Sequence, residues 1–153
     1  MIKITKENFN LENEFEKICT KINGAYSFFL GTVREEINKN NKKIDSIFLE
    51  CYEDLANKQL SSIRDQALKN WNLNECLIIH RVGKLYLGEK IVLIITASSH
   101  REDAIRACEF IIDNLKVNVA LWKFNVNGDE EFHVKFKDKD LKKFLKWEEI
   151  VKT

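Results

Sequence analysis

The spacing of apolar positions changes period several times along the chain, and each change marks an element. From Glu53 to Asn70, Ala56, Leu60, Ile63 and Ala67 recur at helical spacing, which predicts an amphipathic helix whose apolar face Trp71 closes. The run Ile91 to Ala97 is almost wholly apolar and predicts a central strand buried on both faces. Ala104, Cys108, Ile111, Ile112 and Leu115 then return to helical spacing, behind a Ser99/Glu102 pair with the form of a capping box.

The remaining segments are shorter. Residues 2–5 read as a strand, and Asn10 as the N-cap of a helix carrying Leu11, Phe15, Ile18, Cys19 and Ile22 that ends at Asn23-Gly24. Ala25 to Val33 and Ile44 to Tyr52 read as strands, expected to pair as a long hairpin across an exposed, mobile polar loop, Arg34 to Lys43. Glu75 to Val82 is a strand leading through Gly83 to a turn at Tyr86-Leu87-Gly88. Val119 to Asn125 is another, followed by the hairpin signal Asn127-Gly128. Phe132, Val134 and Phe136 alternate with Glu131, His133 and Lys135, a return strand with one buried face. Asp138 to Trp147 reads as a basic helix. Interleaved helices and strands with two hairpins predict an α+β fold with a mixed, mainly antiparallel sheet, in one domain over 1–153.

Charge narrows the function classes. Lys plus Arg is 25 against 24 Asp plus Glu, a net +1, so nucleic-acid binding through bulk charge is excluded. No apolar run approaches the roughly 20 residues a bilayer span needs, and Met1-Ile2-Lys3-Ile4-Thr5 lacks a signal-peptide apolar core. A cytoplasmic protein without membrane contact is expected. Cys19, Cys51, Cys76 and Cys108 lie far apart among apolar neighbours, with no zinc-ligand spacing. They read as buried free thiols, and no metal site is expected. His80 reads as a core or edge residue, and His133 as solvent-facing.

The candidate chemistry is cationic. His100 and Arg101 stand in the first turn of the 100–116 helix, where positive charge opposes the helix dipole, and an anion held there is the usual compensation. Lys116 closes that helix, and Lys123 interrupts an apolar strand beside Trp122. A lysine clustered with other cations has a depressed pKa and can serve as nucleophile or acid/base. Only five of the 25 basic residues are arginines, and Arg34 follows Gly31-Thr32-Val33 at a strand end. Its planar fork suits phosphate or carboxylate. Each of these residues also fits a solvated surface position when taken alone.

In order, Phe29-Leu30-Gly31-Thr32-Val33-Arg34, Leu49-Glu50-Cys51-Tyr52, Ile79-His80-Arg81-Val82-Gly83, Gly88-Glu89, Ala97-Ser98-Ser99-His100-Arg101, Asp113-Asn114-Leu115-Lys116 and Trp122-Lys123 resemble the catalytic, large subunit of molybdopterin synthase. The resemblance runs from about residue 24 to residue 147. It implies an α/β-hammerhead-type fold with two long helices and a β-hairpin subdomain. It also implies a homodimer carrying a small ubiquitin-like sulfur-carrier subunit at each end, a heterotetramer in molybdenum cofactor biosynthesis. The implied reaction transfers sulfur from that partner's thiocarboxylated C-terminus to cyclic pyranopterin monophosphate, forming the molybdopterin dithiolene. No further cofactor is implied, since the sulfur arrives on the partner.

Carried over, the substrate-contacting positions are Thr32, Val33, Arg34, His100, Arg101, Lys116, Lys123, Phe124 and Asn125. Arg34, His100 and Arg101 form the anion clamp, Lys116 is the acid/base able to trap an acyl group, and Lys123 stabilises charge. The chain departs from the family's pattern at Glu53 and Ala120, where proline is usual, and at Phe124-Asn125, where a basic and then an acidic residue are usual. His100 and Lys116 are about 24 Å apart on one helix, which predicts a pocket shared between two subunits. The competing readings are a non-catalytic module that docks an acidic partner tail or phosphorylated ligand, and a thiol-dependent sulfur carrier.

Overall fold

The computed structural model, described over residues 1–37, 41–128, 130–134 and 138–151, runs β1 (Ile2–Thr5), α1 (Leu11–Glu16), β2 (Ala25–Thr32), β3 (Ser46–Cys51), α2 (Glu53–Asn70), β4 (Leu73–Arg81), β5 (Gly83–Tyr86), β6 (Lys90–Ser98), α3 (Arg101–Asn118), β7 (Leu121–Asn127), β8 (Glu130–His133) and α4 (Asp138–Ile150). The strands form two four-stranded sheets, ordered β1-β4-β6-β2 and β5-β3-β7-β8. Among the described residues only β1 and β4 run parallel, and the other strand pairings are antiparallel. The α+β class and the mainly antiparallel pairing therefore stand, divided between two sheets.

The apolar run in β6 has the cause its composition suggests. Val92 and Ile94 face α2 and α3 in the main core, with Leu60, Ile63, Phe110 and Ile111. Leu93 and Ile95 face the other way, under Phe9, Ile18 and Phe15. Each fully buried side chain of this kind contributes about 1.5–3 kcal/mol of transfer free energy, so both faces of the strand are committed. A third cluster, Val33, Ile44, Ile47, Leu49 and Leu85, fills the smaller sheet and meets the first through Ile91.

Several expectations are corrected. Strands β2 and β3 do not pair: β2 lies on β6, and β3 lies between β5 and β7. Their apolar faces belong to different cores, Phe29 against the helices and Ile47 with Leu49 in the small sheet. The segment read as running straight from Gly83 into a turn holds β5, whose Leu85 is fully buried. Helix α1 stops at Glu16, and Cys19 and Ile22 are exposed, because the chain turns away to place Tyr26 against Thr20 and Asn23.

The capping box is absent. His100 is the N-cap of α3, and it is Ser98 Oγ that accepts the His100 N–H at 3.2 Å while donating to Asn72 O at 2.7 Å. Glu102 instead pairs with Arg106 at 3.8 Å. The β7–β8 hairpin forms with Gly128 at φ +58°, as its turn signal predicts. Lys135 and Phe136 of the expected return strand lie outside the described residues. Trp71 closes α2 as expected, and with Phe110 and Trp147 it makes an aromatic cluster with ring centroids 5.1–5.8 Å apart.

Candidate functional site: a cationic cavity between the two sheets' helices and strands

Three of the candidate cations line one cavity of about 800 Å³: Arg34, Lys116 and Lys123. Each is delivered by a different element. Arg34 follows the end of β2, where Val33 is held by hydrogen bonds to Glu89 O and from the Gly88 N–H. Lys116 lies in the last turn of α3, where the dipole favours a cation. Lys123 projects from β7 opposite Leu49 of β3. Between the two lysines the chain reverses tightly: Val119 is buried, and Leu121 N–H donates back to Val119 O at 2.7 Å. The Ala120 N–H donates to Gln59 Oε1 at 2.8 Å, a bond that a proline at this departure from the family pattern would forbid.

The wall also holds Glu36, Trp122, His133, Lys139 and Asp140. Glu36 is the residue the sequence reading missed. It sits in the segment read as an exposed polar loop, yet its side chain is only 23% exposed. Burial pushes its carboxyl up, but Lys123, Asn125 and Arg34 together outweigh that and hold it below the ordinary value of 4.5. Lys123 and Asn125, two residues apart on β7, share one strand face and both reach Glu36. Phe124 points the other way and packs at 5.3 Å from the exposed His133 ring.

His100 and Arg101 are elsewhere. They are exposed at the start of α3, beside the beginning of β2, whereas Arg34 lies beyond the end of β2. Eight strand residues separate those ends, about 26 Å, which agrees with the length of α3. One chain thus brings together Arg34, Lys116 and Lys123 and sets His100 and Arg101 apart. Thr32 is exposed at the end of β2, and Val33 has its side chain in the small core.

A family model described as the MoaE protein matches residues 4–118. The chain belongs to the MoaE family. Among relatives named molybdopterin synthase catalytic subunit, the Pyrococcus abyssi protein is 34% identical over 128 residues, covering 84% of this chain and 85% of its own length. That of Vibrio cholerae is 32% identical over 148 residues, covering 96% and 97%. Among solved structures, molybdopterin synthase from Staphylococcus aureus superposes with a TM-score of 0.80 at 32% identity, over 87% of this chain and 96% of that one. A complex of subunits 1 and 2 of molybdopterin-converting factor from Helicobacter pylori has a TM-score of 0.75 at 23% identity over 88% and 90%, a likeness of fold.

Within this MoaE-family chain, α4 lies beyond the matched span but supplies Lys139 and Asp140 to the cavity wall. Among the described residues no group of three or more His, Cys, Asp or Glu could hold a metal ion, and no helix is long and apolar enough to cross a membrane. The thiols do not form a set of buried residues: Cys76 and Cys108 are buried, Cys51 is half-buried and Cys19 is exposed, all of them free. Burial pushes the Cys76 thiol up to about 12 and raises those of Cys108 and Cys51, so these three are poor thiolates.

Proposed function

We propose that the chain is the sulfur-transferring catalytic subunit of a molybdopterin synthase. It takes sulfur from the thiocarboxylated C-terminus of a small ubiquitin-like partner and adds it to cyclic pyranopterin monophosphate, in the cytoplasm, giving the dithiolene. The observation that carries this reading is the convergence of Arg34, Lys116 and Lys123 on one cavity. Arg34 offers a fork for the phosphate. Lys116 makes no ion pair or hydrogen bond among the described residues, so its amine is open to act as acid/base or to take up an acyl group. Lys123, half-buried beside Glu36, stabilises negative charge as oxygen leaves and the phosphate ring opens.

His100 and Arg101 of a second copy complete the anion clamp, which makes the functional unit a homodimer. With a sulfur-carrier subunit at each end it becomes a heterotetramer; the Helicobacter pylori neighbour is itself a complex of subunits 1 and 2. The raised Cys51, Cys76 and Cys108 thiols speak against sulfur being carried on any of those three side chains. The test is direct. Purified protein mixed with a thiocarboxylated partner and the cyclic pterin should yield dithiolene product, and a mixture that binds the partner without forming product would favour the docking module.

A further inference from the structure

Glu36 has no part in the chemistry above, yet among the described residues its carboxylate meets Arg34, Asn125 and Lys123 together. Its carbonyl oxygen accepts from the Ile44 N–H at 3.0 Å, which fixes the backbone beneath it. One carboxylate oxygen, Oε1, accepts from Arg34 Nε at 3.1 Å and stands 3.1 Å from Nη2 of the same guanidinium. The other, Oε2, accepts from Asn125 Nδ2 at 3.2 Å and lies 3.6 Å from Lys123 Nζ. The amide cannot be turned over, since its oxygen would then face the carboxylate. In the orientation it has, Asn125 Oδ1 is buried with no partner among the described residues.

A carboxylate shared between a guanidinium fork on one side and an ammonium with an amide N–H on the other is held as an oxyanion ligand is held. The Nε/Nη2 edge that Arg34 gives to Glu36 is one of the two edges by which a guanidinium takes two oxygens of a phosphate. An incoming phosphate cannot have that edge while Glu36 keeps it. Lys116 and Lys139, on the same wall, carry no ion pair among the described residues and remain open to it.

We infer that Glu36 is an internal anion that competes with the ligand for Arg34 and Lys123, and that a phosphate group binds here by displacing it. Glu36 is then a specificity-determining residue. It keeps Arg34 and Lys123 from repelling each other and sets how strongly an oxyanion must bind to enter. Asn125 donates through Nδ2 to whichever anion is present. The inference rests on reading the cavity as an anion site and not on sulfur transfer.

Inorganic phosphate is the probe, titrated into the full-length chain at constant ionic strength with neither partner nor pterin present. Glu36→Gln should bind phosphate about fivefold tighter than the unchanged protein, Glu36→Asp should fall between, and Arg34→Ala should cancel the gain in the double variant. Equal or weaker binding by Glu36→Gln, at an unchanged melting temperature, overturns the inference. The unchanged protein supplies a second reading that no folding defect can obscure. On saturation with phosphate the Glu36 side-chain carboxyl carbon should shift toward the position of a free glutamate, and a signal that stays in place overturns the inference equally. A chain that binds phosphate in this manner but makes no dithiolene would sink the proposed reaction and leave the role of Glu36 intact.

Discussion

The indole N–H of Trp147 donates to the carboxylate of Asp113 at 3.0 Å, one turn before Lys116 on α3. Both groups are buried, so this bond does more than decorate a helix contact: it ties α4, which carries Lys139 and Asp140, to the end of α3 that carries Lys116. Trp147→Phe keeps most of the aromatic packing on Trp71 and Phe110 but leaves the Asp113 carboxylate without its donor. The expected loss is about 1–3 kcal/mol, read as a lower urea midpoint. Trp147→Ala also opens a cavity in the aromatic cluster and should cost about 3–5 kcal/mol.

Acid stability should report on a different residue. Burial pushes the His80 imidazole down to about 4, outweighing the Arg81 carbonyl contact that raises it, against 6.5 for an exposed histidine. The unfolded chain therefore takes up this proton first. Stability is full above pH 6.5, declines as pH falls toward 4 and levels off below that, by about 3 kcal/mol in all. Glu36 is held low by Lys123, Asn125 and Arg34 against the upward push of burial, and Glu89 chiefly by the Tyr86 N–H. Their stabilisation is present above pH 4.5 and lost only below it. The interval from 6.5 to 4.5 thus isolates His80, and urea midpoints of His80→Gln across it should be nearly flat where the unchanged protein's fall.

How much of this was legible beforehand depended on where periodicity carries information. Helices α2 and α3 and strand β6 follow from apolar spacing because the burial of each is written in its own residues, at helical spacing in the helices and as an unbroken apolar run in the strand. The separation of His100 from Lys116 follows from helical rise alone. The partners of β2 and β3 were not legible, since pairing is chosen by which core each apolar face enters, and those cores draw on residues far along the chain, Ile94 for Phe29 and Leu85 for Ile47. Glu36 was invisible for a related reason. A polar run such as Arg34 to Lys43 has no period, and only the fold reveals that β7 brings Lys123 and Asn125 to one of its carboxylates. Arg34, Lys116 and Lys123 stood out by residue type and by family motif, which is why they were found.

Gly24 has a role at the opposite end of the molecule. A Cβ there would lie 2.6 Å from the Ser99 carbonyl oxygen, and the Gly24 N–H donates to Ser98 O at 3.0 Å. The obstacle is backbone, so it cannot swing aside. Gly24→Ala should displace the start of α3 with His100 and Arg101, costing about 1–3 kcal/mol of stability. If the anion clamp extends to those two residues, substrate KM should rise while the Lys116 and Lys123 end keeps its chemistry. Thermal melting and steady-state kinetics on the same preparation separate the two effects.

The separation of the two cationic groups gives the sharpest test of a shared pocket. His100→Ala and Lys116→Ala should each abolish product formation, because each removes one half of every composite site. Mixed in equal amounts under conditions of subunit exchange, half of the dimers become hybrids. Each hybrid pairs the intact His100 of one chain with the intact Lys116 of the other at one of its two sites. About a quarter of all sites, and so about a quarter of the unmutated activity, should return. If each pocket were built within a single chain, no arrangement of these two variants would contain an intact one, and the mixture would stay as inactive as its parts. Product measured before and after exchange, with exchange itself followed by mass spectrometry of the intact dimer, decides between the two.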